Sequence, residues 1–409
     1  MTLYEDLVWR GIIKDISSPD LIEKLNKEKL TFYIGTDPTA ESMHIGHLSS
    51  FLISKRLKDY GHDPILLIGG ATGRIGDPHP NSEREIISEV QVEKYVAGLT
   101  KQAKELFGFK VVNNYDWSKE INFIDFLRDY GKYFNINYML DKDIIRRRLE
   151  TGITYTEFSY MIMQALDFLY LYENNNCVLQ VAGSDQWGNI TAGIDLIRKK
   201  TGKEAYGFVM PLVTDKYGNK FGKSEGNALW LDKTKTSSYE IYQYLINVDD
   251  EMVIDYLKIF TFLDKAEIER LAKVNAEQPE LREAHQALAR EVITFIHGAA
   301  DYESAKKISE SLFSEKIFDL KAEEIIASFK DISKFNVETL DIPVLDFVIK
   351  YEICSSKREA RELINDGALT INNMKVTSED LLITRDTAID NQIFLIRKGK
   401  KKYFLGIIK

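Results

Sequence analysis

Short apolar runs alternate with longer amphipathic stretches through the first half of the chain. Residues 31–35 (TFYIG), 65–70 (ILLIGG), 109–113 (FKVVN), 177–183 (CVLQVAG) and 208–213 (FVMPLV) have the length and composition of strands. Residues 44–60 (HIGHLSSFLISKRLKDY) place Leu48, Phe51, Leu52 and Leu57 at helical spacing. Strands separated by helices predict a doubly wound parallel sheet covered on both faces. In such a sheet, ligands bind beyond the carboxyl ends of the strands, near the point where strand order reverses. The segments 35–47, 69–77 and 183–189 each follow a strand and contain glycine, so they are expected to converge on that rim.

Beyond the sheet, residues 239–260 and 265–297 read as helical, residues 313–341 as a weaker mixed stretch, and Pro343 opens a last module. The fold class is α/β: a doubly wound, Rossmann-like catalytic domain with inserted helices (1–220), then an all-helical domain (221–320), a linker (321–342) and a small α+β domain (343–409). With 409 residues, 44% hydrophobic and 29% charged, the chain buries a full core without staples. Its two cysteines, Cys177 and Cys354, exclude a disulfide scaffold and a paired-cysteine zinc site. No apolar run reaches the roughly 18 residues of a membrane span. The start, MTLYEDLVWRG, lacks a signal peptide's basic flank and apolar stretch, so cytoplasmic residence is expected. Charge is uneven. Residues 343–409 hold 12 basic and 9 acidic side chains, a net of +3 against −12 for the remainder. An acidic body with a basic tail suggests a catalytic part joined to a module that touches a polyanion.

Three constellations carry chemistry. In the first, a strand leads through a short loop into a helix opening with His44-Ile45-Gly46-His47. Free N–H groups and the positive dipole end at a helix start favour phosphate. Imidazoles there donate to phosphate or ribose oxygens, and Gly46 leaves room for a nucleotide against the backbone. Taken alone, the same residues also fit two surface histidines beside a cap. In the second, Lys220-Phe221-Gly222-Lys223-Ser224 lies in a glycine- and lysine-rich loop, 214–227. Such a loop either closes over a triphosphate or is simply solvated. In the third, Tyr160, Gln164 and Asp167 fall at i, i+4, i+7 on an otherwise apolar helical pattern, one stripe that a polar ligand or a neighbouring helix must satisfy.

The first two segments together, in this order and separation, resemble the HIGH and KMSKS hallmarks of class I aminoacyl-tRNA synthetases. The third, with YIGTDPTA at 33–40, GGATGRIGDP at 69–78, NNYDW at 113–117 and GSDQWGN at 183–189, resembles bacterial-type tyrosyl-tRNA synthetases essentially from end to end. The resemblance implies tyrosine–tRNA ligation. The tyrosine carboxylate attacks the α-phosphorus of ATP, with magnesium on the phosphates and no protein-held metal, and tyrosine then passes to the terminal ribose of tRNA(Tyr). It also implies roles. Tyr33 and Asp167 bind the phenol hydroxyl of L-tyrosine, Asp77, Tyr160 and Gln164 cage its ammonium, and Gln180 stands behind them. Gly35, Asp37, His47, Gly183, Asp185 and Gln186 face adenosine. Thr39, His44, Lys220, Lys223 and Ser224 attend the phosphates. A cytoplasmic homodimer, with one tRNA spanning both subunits and no membrane contact, is implied as well. Two departures stand out. His79-Pro80-Asn81 replaces the Ser-Gly-Lys common in the family, so its charge must come from Arg84 or the loop lysines, and Ile34 cannot hydrogen-bond a ribose.

In the tail, Ser356-Lys357-Arg358-Glu359 fits a capping box opening a helix to about Asp366, stopped by Gly367. Lys357, Arg358 and Arg361 share one side, a hairpin follows through Asn372-Asn373, and residues 397–402 hold five positive charges. A basic helix beside a small sheet is an RNA-backbone footprint, and it resembles the ribosomal-protein-like module this family carries. Two rival classes remain. An RNA-binding protein that lost catalysis predicts damage to the two signatures, and none is visible. A small-molecule nucleotidyltransferase predicts neither the tail nor the polar stripe.

Overall fold

The computed structural model describes residues 1–78, 87–149, 152–224, 227–312, 320–328, 332–399 and 402–409. Their contacts divide into two compact units, Met1–Asp232 with Val248–Glu291, and Lys233–Asn247 with Val292–Lys409.

The first unit is built on a six-stranded sheet. Its strands are β1 (Asp15–Ile16), β2 (Thr31–Thr36), β3 (Asp63–Ile68), β4 (Lys110–Asn113), β5 (Cys177–Gly183) and β6 (Tyr206–Met210), in the order β1-β6-β5-β2-β3-β4. All neighbours pair parallel except β1, which runs antiparallel to β6 at the edge. The parallel core is the expected doubly wound sheet. The antiparallel edge was not legible, because two residues are too short to show a period. From β2 the chain goes outward to β3 and β4, then returns to the other side of β2 for β5 and β6. Strand order therefore reverses between β2 and β5.

Helices cover the sheet: α1 (Leu3–Trp9), α2 (Ile45–Asp59), α3 (Glu89–Phe107), α4 (Tyr155–Asn175), α5 (Trp187–Thr201) and, from the later segment, α6 (Val253–Phe260). On α2 the residues at helical spacing, Leu48, Phe51, Leu52 and Leu57, are all buried as predicted. The long helical patterns downstream are interrupted. Residues 239–260 split into Ser238–Ile246 and α6, and these fall in different units. Residues 265–297 split into Lys265–Glu277 and Glu283–His297 around a turn at Pro279–Leu281, where proline cannot continue a helix.

Late in the first unit β7 (Lys223–Ser224) pairs antiparallel with β8 (Asn227–Ala228), and the second unit holds a five-stranded sheet of β12 (Met374–Lys375), β11 (Leu369–Ile371), β14 (Ile393–Lys398), β15 (Lys402–Ile408) and β9 (Ser333–Val337), in that order. A separate pair joins β10 (Ile342–Pro343) to β13 (Leu382–Ile383). Here the linker expectation is corrected, since β9 lies inside 321–342 yet pairs parallel with β15. Its partner is some seventy residues further on, so no local pattern announces it. The predicted hairpin is present, turning through Asn372 and Asn373, both at positive φ as a tight two-residue turn requires. Ser356 caps the helix Lys357–Asn365 and Gly367 follows it, but Glu359 bonds the Ser355 backbone instead of closing a box onto Ser356.

Candidate active site

A cavity of about 600 Å³ opens in the first unit at the carboxyl ends of β2 and β5. Tyr33, Gly35, Asp37, Thr39, His44, His47, Asp77, Tyr160, Gln164, Asp167, Gln180, Gly183, Asp185, Gln186 and Lys220 all line it. The three glycine-containing segments thus meet on one rim. The side chains of Lys223 and Ser224 lie outside the described part, as do Asn81 and Arg84.

The floor comes from strand alternation. Tyr33 pairs in register with Gln180 on β5, and Gly35 with Leu67 on β3, so these residues present one face of the sheet. Tyr33 and Gln180 are buried. Among the described residues the Tyr33 hydroxyl and Gln180 Oε1 have no hydrogen-bond partner. Burial pushes the Tyr33 phenol well above its ordinary range, and the nearby Asp167 adds to the effect.

The α4 stripe faces this floor, and each of its polar groups is held by a loop. Asp167, buried, accepts from Trp117 Nε1 and Asn114 Nδ2, each at 2.9 Å. Burial raises its carboxyl to about 7, while the two N–H donors pull the other way. Asn114 Nδ2 also donates to Thr72 Oγ1 at 3.0 Å, Thr72 donates to Asp37 Oδ1 at 2.8 Å, and Tyr160 donates to Asp37 Oδ2 at 2.9 Å. Gly69 makes this possible, because a Cβ there would sit 2.0 Å from Asp37 Oδ1. Next to it, Asp77 accepts from Gln186 at 2.8 Å and Asn189 at 3.4 Å, and Asn189 also donates to Gln164 at 3.0 Å and Gln186 at 2.9 Å. Burial raises the Asp77 carboxyl to about 6, with Asp37 and Asp185 adding to it and Gln186 opposing. This end is rich in carboxylates and suits a cationic group. Asn114, Trp117, Thr72 and Asn189 fall inside the motifs at 113–117, 69–78 and 183–189, yet the sequence alone does not show these roles. Only Asn114 carries a local signal, a polar residue immediately after a strand.

The opposite wall carries the imidazoles. His44 is the N-cap of α2, and its Nδ1 accepts from Gly46 N at 3.0 Å, while His47 Nδ1 accepts from His44 N at 3.2 Å. An imidazole whose Nδ1 accepts a peptide N–H carries its proton on Nε2, so both rings are Nε2 donors. Burial takes His47 down to about 3, and His44 adds to this. Gly46 is explained here too. A Cβ on it would stand 2.8 Å from His44 Cε1, so its bareness makes room for that ring, not for a ligand directly.

The second signature is sewn to the first. Ile45 N donates to Leu229 O at 2.9 Å, Leu231 N to Met43 O at 2.8 Å, and Leu229 N to Gly222 O at 3.0 Å. Phe221 packs its ring at 4.3 Å from Tyr256 and 4.9 Å from Phe260 on α6, and Tyr256 donates to Thr214 O at 3.0 Å. These contacts fix the base of the loop, and Lys220 reaches the cavity from it. Ile34 also lines the wall and is buried, so it adds an apolar contact there.

Two signatures some 170 residues apart in sequence (His47 to Lys220) therefore share one cavity with a polar helical stripe. A family model described as tRNA synthetases class I (W and Y) matches residues 25–314. The tyrosine–tRNA ligase of Staphylococcus epidermidis is 51% identical, over 98% of this chain and 98% of that protein. The chain belongs to the tyrosine–tRNA ligase family. The family relative from Listeria innocua is 48% identical over 99% of both chains. A solved tyrosyl-tRNA synthetase, the C-terminally truncated mitochondrial protein of Aspergillus nidulans, is 33% identical with a TM-score of 0.68, covering 76% of this chain and 94% of that one. A second model, for the C-terminal domain of tyrosine–tRNA ligases, matches residues 324–406. It begins before β9, in keeping with that strand's place in the second sheet.

The basic candidates of the tail are not grouped with the cavity. They lie in the second unit, and each meets a carboxylate: Lys357 pairs with Asp346 at 2.7 Å, Arg358 with Glu362 at 3.0 Å and Arg361 with Glu379 at 2.9 Å. Lys400 and Lys401, within the basic run 397–402, lie outside the described residues. In the basic runs 146–148 and 198–200, Arg148 is buried against Glu157, and Arg198 and Lys199 share Asp195. No described helix is long and apolar enough to cross a membrane.

Proposed function

We infer that this chain is a tyrosine–tRNA ligase. It makes tyrosyl-adenylate and pyrophosphate from L-tyrosine and ATP, then transfers tyrosine to the 3′-terminal ribose of tRNA(Tyr). The observation that carries this reading is the deep end of the cavity. There the buried Tyr33 hydroxyl stands near Asp167, a carboxylate already oriented by two N–H groups. A phenol hydroxyl donates to Asp167 and accepts from Tyr33, whereas phenylalanine leaves both groups unpaired at a cost. Gln180 supports the same end. Asp77, Tyr160 and Gln164 surround the α-ammonium. Gly35, Asp37, His47, Gly183, Asp185 and Gln186 face adenosine, and Thr39, His44, Lys220, Lys223 and Ser224 attend the departing phosphates.

The first step forms a bond from a tyrosine carboxylate oxygen to the α-phosphorus and breaks the bond to pyrophosphate. The nucleophile is already an anion, so no base is required, and the rate must come from alignment and charge stabilisation. Imidazole and ammonium donors line the phosphate side, and no cluster of metal-ligating side chains occurs among the described residues. That donor set suits magnesium carried on the ATP phosphates, where it would screen their charge. In the second step the ribose hydroxyl attacks the activated carbonyl and AMP leaves.

The rest of the reading concerns assembly. Large apolar side chains are exposed between Phe123 (67%) and Tyr155 (64%), including Ile124, Leu127, Ile136, Tyr138 and Leu149. That run of exposed apolar side chains supports a homodimer. Residues 1–220 serve catalysis, 221–320 complete the phosphate site and the tRNA side, and the tail beyond the 321–342 segment binds tRNA through Lys357, Arg358 and Arg361, in the cytoplasm. The test is exchange of labelled pyrophosphate into ATP. Tyrosine should drive it, and exchange driven equally by phenylalanine or tryptophan would refute the pocket assignment. A protein ending at Asp341 should still exchange pyrophosphate but charge tRNA poorly.

A further inference from the structure

The loop that delivers His44 to the cavity is braced by a helix that contributes nothing to the cavity wall. On α3, Lys94, Gly98 and Gln102 fall at i, i+4, i+8, one stripe of the helix. All three meet consecutive residues of the loop before α2. Lys94 Nζ pairs with Glu41 at 2.6 Å. Gly98 lies so close that a Cβ would come within 2.3 Å of Glu41 O. Gln102 Oε1 accepts from Met43 N at 2.7 Å, and its Nε2 donates to Ser42 Oγ at 3.0 Å. Ser42 and Met43 are buried, so the Met43 N–H depends on that one side chain. The Met43 carbonyl on the other side accepts from Ser42 Oγ at 2.9 Å and from Leu231 N, beyond the second signature, at 2.8 Å. The helix itself is anchored by buried Leu99, Ala103 and Phe107, and the Phe107 ring meets Phe51 of α2 at 5.3 Å.

We propose that Gln102 is a positioning residue for adenylate formation. By holding the Met43 peptide it fixes the entry angle of the chain into α2, and so sets where the His44 and His47 Nε2–H groups point. The two sides of Met43 key the signatures to each other, with Gln102 on the amide and the Leu231 strand on the carbonyl. This proposal rests on the reading of the cavity as an adenylate-forming site. Tyr33 stands on β2, and Asp77, Gln164 and Asp167 are held from outside the 37–44 loop, while Tyr160 bonds Asp37 at the opposite end of that loop from Met43. Loss of Gln102 therefore acts on the phosphate side and spares the tyrosine side.

The experiment measures tyrosine-dependent pyrophosphate exchange and, separately, tyrosine binding by equilibrium dialysis, for the whole protein, Gln102→Leu and Gln102→Glu. The leucine variant should lose about 10- to 100-fold in exchange kcat, the scale of a small misplacement at the reacting centre, with an unchanged tyrosine Kd. The glutamate variant keeps an acceptor for Met43 N and should recover most of that loss. An unchanged kcat in Gln102→Leu, a Kd that weakens in step with kcat, or a glutamate variant as slow as the leucine one would each overturn the proposal. Should Gln102→Leu not fold, Gln102→Asn replaces it, because the shorter amide no longer reaches Met43 N. Reduced kcat at constant Kd then supports the brace, and wild-type kcat overturns it. Wild-type protein without exchange would instead remove the proposed function, and the brace with it.

Discussion

Replacing Arg148 should cripple the enzyme through its fold, while the two arginines before it are dispensable for stability. Arg148 forms a two-pronged ion pair with Glu157, Nη1 to Oε1 and Nη2 to Oε2, both at 2.9 Å, with side-chain exposures of 6% and 2%. Its Nε and Nη2 also bond Gly152 O at 3.2 and 3.1 Å. Glu157 lies in the first turn of α4, three residues before Tyr160. Arg148→Met leaves a buried carboxylate without its counter-charge, which costs about 3–5 kcal/mol. For a unit of this size that lowers the unfolding midpoint by roughly 6–20 °C. Adding Glu157→Leu removes the stranded charge, so the double variant should be more stable than Arg148→Met alone, the sign that marks a pair and not two independent contacts. Thermal unfolding of the singles and the double completes the cycle, and tyrosine binding below the transition reports on α4. A loss under about 1 kcal/mol for Arg148→Met, or a double variant no better than the single, would refute the reasoning. Arg146, exposed and paired with Asp141, should change stability by no more than the usual surface pair.

Further outcomes follow from the site. The Asp77 carboxyl, raised to about 6, holds an ammonium only when ionised, so tyrosine Kd should rise as pH falls through 6. A deamino analogue of tyrosine keeps any step near 7 from Asp167 but should lack the one at 6, and if both ligands share the step at 6 the ammonium cage is wrong. The same group favours its neutral form in the folded protein, so it costs stability above pH 6 and ceases to do so as pH falls toward its ordinary value of 3.8. Gly46→Ala forces the His44 ring aside and should slow exchange by up to about 100-fold at constant tyrosine Kd, and a proportional loss of tyrosine affinity would contradict it. Trp117→Phe removes one of the two N–H donors on Asp167 and should narrow the preference for tyrosine over phenylalanine about tenfold in kcat/KM. An undiminished preference would leave Asp167 oriented by Asn114 alone.

Most of the parallel strands were legible because they are buried on both faces and so read as unbroken apolar runs, as 177–183 does, whereas β4 is only half-buried. His44, His47 and Lys220 were legible because a helix start and a lysine loop leave local marks. The polar stripe on α4 was legible from helical spacing alone. What sequence reading missed is what distant segments do for one another. Asn114 and Trp117 orient Asp167 from fifty or more residues away. Arg148 sits in a run of three arginines that looks uniformly solvent-facing, yet only packing decides which of the three turns inward. β9 has its partner at the far end of the chain, and Gln102 is an ordinary residue until Met43 lies against it.

The way the peptide chain holds both imidazoles has a consequence for a cell whose acidity drifts. Each neutral ring accepts a main-chain amide at Nδ1, so folding places its donor hydrogen on Nε2. At His47, whose imidazole burial holds down to about 3, mild acidification leaves the ring neutral. A fall in pH would be felt first at the carboxylate-rich end, as weaker capture of tyrosine, while adenylate chemistry on enzyme already loaded continues at its own pace.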